Sequence, residues 1–161
     1  MQATPELRVL MAMARAAPSP AIVAAARALA TQGIAWERLC ALGVRNRVSY
    51  LLWRSLCTHM VDLVPAPQRT AFEAAASQAR AVSMAMLATQ VGLVERVLRP
   101  LGVRHAFLKG AALSARHYGD PVVRSVSDID MLVEARRIPE VVARLVEQGW
   151  RMSSPFWKGQ P

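Results

Sequence analysis

Apolar positions recur at three- and four-residue spacing through the first hundred residues, and the pattern predicts helix after helix. Pro5 to Ala16 forms a first helix, stopped by the Pro-Ser-Pro run at 18–20. Ala21 to Thr31 forms a second, ended by Gly33, and Trp36 to Leu42 a third, with Gly43 as its C-terminal stop. Asn46 caps a fourth that runs to about Met60, with Val48, Leu51, Leu52, Ser55 and Leu56 as its inward stripe. "VPAP" at 64–67 breaks the chain, and one long helix follows from Gln68 to Leu98, with Phe72, Ala76, Ala79, Met86, Leu93 and Val97 on one side.

After Gly102 the texture changes. "VRHAFL" (103–108) predicts a strand, "GAALSARHY" (110–118) a short helix, and "GDP" a turn. "SDIDMLV" (127–133) predicts a second strand, and "IPEVVARLVEQG" (138–149) an amphipathic helix with Pro139 in its first turn. "WRMSS" begins a third strand. The expected architecture is therefore α+β or α/β. A helical region over 1–100 leads into the opening of a mixed sheet with flanking helices over 101–161.

Composition changes this picture little. Hydrophobic residues make up 53% of the 161, enough for a core. The formal charge is +9, yet lysine occurs only at Lys109 and Lys158. We read the arginine skew as a coding bias. With basic residues spread along the whole chain, the charge is weak support for an RNA-binding module. Cys40 and Cys57 lack metal-ligand spacing and are expected to be small buried hydrophobes in a reducing compartment. No signal-like apolar region opens the chain. The longest uncharged run, Ala81 to Val94, falls short of the roughly 20 residues that span a bilayer. The expectation is a cytoplasmic protein with no membrane partner.

The candidate chemistry lies between Phe107 and Val133. Side chains alternate along a strand, so Asp128 and Asp130 share a face while Ile129, Met131 and Val133 point into a core. Two carboxylates about 7 Å apart on one strand face repel unless a cation sits between them. Oxygen ligands of this kind suit Mg²⁺ or Mn²⁺. Lys109 and Gly110 fall at a strand-to-helix junction. There unpaired N–H groups and the helix dipole favour phosphate, and glycine lets it approach. No G-x-x-x-x-G-K-[ST] motif is present, so this is not a P-loop. In a chain that uses arginine almost everywhere, a lysine at this turn suggests a cramped phosphate site.

At "LKGAAL", "YGDPVVRSVSDIDMLV" and "EQGWR" the chain resembles the uncharacterised nucleotidyltransferase family, a branch of the polymerase-β-type nucleotidyltransferases. The resemblance covers about residues 20–152. It implies that Gly110 and Ala111 form the phosphate-binding turn, without the serine hydroxyl that many members carry there, and that Lys109 partly replaces it. It implies that Asp128 and Asp130 are the catalytic, metal-binding aspartates, and that Arg124 approaches a phosphate or orients Asp128. The implied reaction is Mg²⁺-dependent transfer of a nucleoside monophosphate from an NTP. The acceptor is left open among a protein side chain, a tRNA 3′ end, a sugar phosphate and a small alcohol. The family's third carboxylate, on a later strand, has no counterpart before the chain ends. Glu134 has the right parity but sits at the strand end as a solvated residue. The expectation is thus the first half of a longer enzyme. The alternative is a degenerate domain that binds a nucleotide or a protein partner without turnover. The open sheet edge further predicts a homo-oligomer.

Overall fold

The computed structural model describes residues 3–152. The first two helices, α1 (Pro5–Met13) and α2 (Pro20–Thr31), start in the same way. A hydroxyl residue caps each, and a proline follows at the first helical position. Thr4 Oγ1 accepts the Leu7 N–H, and Ser19 Oγ accepts the Ile22 N–H, both at 3.4 Å. Each cap satisfies a donor the helix cannot, and each proline removes one that would be orphaned.

The third helix, α3 (Trp36–Arg45), has no cap of its own; the Glu6 carboxylate accepts the Ala35 N–H at its start, at 3.1 Å. That hydrogen bond holds the Glu6 carboxyl below its usual range, with Arg38 adding a smaller pull.

The end of α3 departs from expectation. Gly43 lies inside the helix, where a Cβ would sit 3.0 Å from Leu52 Cδ2. Its role is to let α4 (Ser49–His59) approach closely. The helix stops at Arg45, and the residue that turns the chain is Arg47, at φ 58°. The Val48 N–H reaches Gly43 O at 2.9 Å and the Arg47 N–H reaches Val44 O at 3.0 Å. These paired bonds make a Schellman turn, with arginine at the left-handed position that usually holds glycine. Asn46 does not cap α4; its amide donates to Leu42 O at the end of α3, at 2.8 Å.

The long helix α5 (Ala66–Leu93) continues into a π-helical turn, Val94–Leu98. Its two ends serve two separate groups of buried side chains. Near the start, Phe72 is stacked on Trp53 at 5.8 Å and meets the edge of Trp36 at 6.4 Å. Around them pack Val9, Met13, Leu39, Leu52 and Leu56 from α1, α3 and α4, and Met60 just after α4. Truncating a buried phenylalanine of this kind to alanine costs about 3–5 kcal/mol. At the far end Leu93, Val97 and Leu98 pack with Val103 and Val141. The helical stretch Ala66–Leu98 is long and apolar enough to cross a membrane by length and composition. The sequence expectation had weighed only its uncharged part.

Two short strands, β1 (His105–Phe107) and β2 (Met131–Val133), pair antiparallel with His105 opposite Val133 and Phe107 opposite Met131. Between them runs α6 (Ala111–Tyr118); α7 (Ile138–Glu147) follows β2. Ile129, Met131 and Val133 pack on the second core, as the alternation predicted, and Phe107 of β1 joins them. The strands are shorter than expected, however. The predicted strand 127–133 has regular pairing only from Met131 onward, although Leu108 N–H still reaches Asp130 O at 3.1 Å. Trp150, Arg151 and Met152 form no strand, and the other two residues of "WRMSS" lie outside the described residues. Cys57 is exposed rather than buried, and Trp150 is 44% exposed.

Candidate functional site

Gly110 makes the junction between β1 and α6. Its φ of 67° and ψ of −133° lie where side chains are not tolerated, and a Cβ would stand 3.2 Å from Val126 Cγ1. The glycine is thus required by the fold, in addition to any ligand. It caps α6 without a side-chain hydrogen bond, so the first N–H groups of the helix stay available. Ala111, next in line, is buried.

The loop from Gly119 to Ser127 is fastened from beneath. Gly119 ends α6 in the left-handed conformation. The fully buried Ser114 donates to Asp120 O at 2.8 Å and accepts the Arg124 N–H at 3.4 Å. Ser83 on α5, also buried, shares its hydroxyl between the carbonyls of Ala79 and Arg124, each at 3.1 Å. Asp120 folds back onto the Val122 N–H at 2.9 Å and takes Arg80 Nη1 at 3.1 Å. Arg80 in turn lies over the Tyr50 ring, 4.9 Å from its centre. Partial burial pushes the Asp120 carboxyl up, but the Val122 N–H and the Arg80 guanidinium outweigh it and hold it below its usual range. These contacts tie the loop to α4 and α5, and they leave the Arg124 side chain exposed.

Lys109 reaches the second aspartate directly. Its Nζ lies 2.7 Å from Asp130 Oδ2. The distance is that of a hydrogen bond but the angle is poor, so this shielded oxygen lacks a well-directed donor. Contact with Asp130 at hydrogen-bonding distance, then its charge, holds the Lys109 ammonium above its usual value; Asp128 adds a smaller push. Lysine therefore stands beside both carboxylates.

A cleft of about 290 Å³ opens between this turn and the helical region. Arg47, Lys109, Gly110, Arg124, Ser127 and Asp128 all line it. Three cations against one carboxylate make a site for an anion. Asp130, half-buried, lies behind the Lys109 ammonium and is not part of the lining. Of the residues expected from sequence, Lys109, Gly110, Arg124 and Asp128 thus meet at one cleft, while Asp130 lies behind the lysine and Ala111 is buried and does not line it.

Arg47 was not anticipated. It comes from the α3–α4 turn, and its Nη1 donates to Ser127 Oγ at 2.6 Å. Ser127 Oγ in turn lies 3.4 Å from Asp128 Oδ1. No local pattern around Arg47 announces this; the one trace is a helix end without glycine. Ser114 was missed as well, a single hydroxyl in an otherwise apolar face of "AALSARHY".

The donor chemistry fits a hard cation. Asp128 and Asp130 offer only oxygens, one of them shielded and without a directed hydrogen bond. Divalent Mg²⁺ is commonly held by one or two carboxylates together with substrate phosphates. No cluster of three or more acidic, histidine or cysteine residues occurs among the described residues. Glu134 does not supply the third: it pairs with Arg136 at 2.9 Å and Arg104 at 4.0 Å.

No match was found among curated proteins or among solved structures. A family model described as "Uncharacterised nucleotidyltransferase" matches residues 32–160, which takes in α3 to α7 and the whole cleft. The chain belongs to the uncharacterised nucleotidyltransferase family.

Proposed function

We propose that the protein transfers a nucleoside monophosphate from an NTP to an acceptor hydroxyl or phosphate, with Mg²⁺ and with release of pyrophosphate. The observation that carries this reading is the meeting of Lys109, Gly110, Arg124 and Asp128 at one cleft, with Asp130 against the lysine. Lys109 and Arg124 bind the phosphate oxygens, and the open N–H groups of α6 receive one of them. Asp128 and Asp130 hold the metal. When bound, the ion neutralises charge on the phosphates and activates the acceptor oxygen. Lys109 swings from Asp130 to the incoming phosphate, a short move for a side chain that is 70% exposed.

A second reading is favoured by a specific observation. Among the described residues no third carboxylate joins the two aspartates. A domain of this kind would bind the nucleotide without turning it over, since loss of a general base costs roughly 10²–10⁴ in rate. Two measurements separate the readings. Calorimetric titration with Mg-ATP and Mg-CTP reports binding, and pyrophosphate release with mixed NTPs reports turnover. Asp130→Asn is expected to abolish Mg²⁺-dependent NTP binding while keeping the fold, because asparagine keeps the shape of the half-buried side chain and the lysine it leaves unpaired is 70% exposed and can turn to solvent. Equal binding by wild type and variant would refute the site. Binding without pyrophosphate would leave the second reading.

A further inference from the structure

Beside the phosphate cleft lies a second cavity, of about 310 Å³, with an almost wholly apolar lining. Val44 from the end of α3, Ala75, Ala79 and Val82 from α5, and Val126 from the site loop form its walls. Val44 and Val82 are 55% and 43% exposed, so the cavity presents bare apolar surface to solvent. Gln78, Ser49 and Ser125 are further lining residues. Its sole charged lining residue is Arg47.

The two cavities are continuous in composition. Arg47, Ser125, Val126 and Ser127 line both. On one side of that shared wall are Lys109, Arg124 and the open end of α6; on the other are alanine and valine side chains. A polyanion would fill the first and leave the second bare. An apolar molecule would do the reverse. The ligand that fits both carries a phosphate chain and, covalently attached, a flat apolar group with hydrogen-bonding edges.

We infer that the apolar cavity between α3, α5 and residues 125–127 receives the nucleobase of the NTP whose phosphates occupy the adjoining cleft. This rests on the proposed nucleotidyltransferase reading and names the part of the substrate that reading leaves without a place. The valine and alanine walls cover the faces of the base, and Gln78 with Ser49 and Ser125 meets its edge. Gln78 carries both a donor and an acceptor, so it can discriminate between bases. Arg47, on the shared wall, lies where base and phosphate chain join.

Filling the cavity tests this. Ala79→Leu and, separately, Ala75→Leu place bulk into it from α5 at half-buried positions, with a residue that favours helix. Circular dichroism verifies folding, and titrations use each of the four Mg-NTPs and inorganic tripolyphosphate. Wild type is expected to bind its preferred NTP more tightly than tripolyphosphate. Either filled variant should lose roughly tenfold or more in NTP affinity while its tripolyphosphate affinity stays within about twofold. Gln78→Ala, at an exposed position, should change the order of preference among the four NTPs. A folded, filled variant with unaltered NTP affinity would overturn the inference and put the base elsewhere. Should neither filled variant fold, an unchanged order of preference in Gln78→Ala would overturn it instead. Absence of Lys109-dependent tripolyphosphate binding in the wild type would instead strike at the phosphate cleft, and so at the reading beneath it.

Discussion

Arg47 donates a hydrogen bond to Ser127 at 2.6 Å across eighty positions of sequence. The contact joins the turn between two helices to the residue before the first aspartate. It also holds an arginine where the backbone prefers glycine, at φ 58°. Non-glycine residues in this region cost about 1 kcal/mol or more and persist where surrounding contacts impose them.

Replacing Arg47 separates the two effects. Arg47→Gly relieves the backbone and is expected to unfold within about 1 kcal/mol of wild type, or to be slightly more stable. Its affinity for Mg-NTP should nonetheless fall by about tenfold, since hydrogen bonds to charged groups contribute about 1.5–3 kcal/mol. Arg47→Lys, which keeps the charge but not the fork, should recover only part of this. Thermal denaturation alongside titration checks both halves. Unaltered affinity in the glycine variant would assign Arg47 to the turn alone.

Lys109 sits opposite Asp130 and near Asp128. Lys109→Ala should weaken tripolyphosphate and NTP binding together, by about tenfold for the loss of one charged contact. Lys109→Arg should restore only part, because a planar guanidinium does not replace a compact ammonium in a tight turn. Full recovery with arginine would show that the lysine is not selected by the geometry of the turn. Titration of the two variants side by side decides it.

Gly110 answers to the fold first. With φ 67° and ψ −133°, and Val126 Cγ1 at 3.2 Å from a built Cβ, Gly110→Ala is expected to destabilise by about 1–3 kcal/mol in urea denaturation. Gly110→Val, attractive from sequence as a means of blocking phosphate, would therefore disturb the loop as well. Val126→Ala should recover part of the loss in Gly110→Ala by opening space, leaving the backbone strain. A Gly110→Ala protein as stable as wild type would mean that this backbone conformation is not retained in solution.

Asp120 makes the site loop sensitive to acid. Its carboxyl is held below the usual range in the folded protein, by the Val122 N–H and Arg80 against the opposing effect of burial. A lowered value contributes stability that is present above the unfolded aspartate value and is lost as pH falls through the folded one. The loop around Asp120 should therefore loosen below the ordinary carboxylate range. In Asp120→Asn this contribution to the acid dependence should vanish, while Arg80 loses its ion pair. Amide exchange at Val122 and Arg124 across an acid series reads this out; identical profiles in variant and wild type would contradict it.

Much of this was legible along the chain because it depends on local chemistry. The helices over 5–60 follow from apolar spacing, whereas Pro-Ser-Pro, read as a stop, also supplies the Ser19 cap and the Pro20 start of α2. The alternation of Ile129, Met131 and Val133 placed those residues on the core side before any partner was known. Lys109, Gly110 and Asp128 could be singled out since their roles depend on a turn and a short extended segment. Other features depend on what lies across space. Gly43 read as a helix stop because nothing nearby in sequence announces Leu52 at 3.0 Å. Asn46 read as a cap for the helix after it and instead closes the one before, because a Schellman turn at Arg47 intervenes. The regular part of the second strand shrank to Met131–Val133 because a ladder extends only as far as its partner, and β1 is three residues long. Arg47, Ser83 and Ser114 join the site through packing of α3, α5 and α6, and packing leaves no periodicity in the chain from which such a meeting could be read.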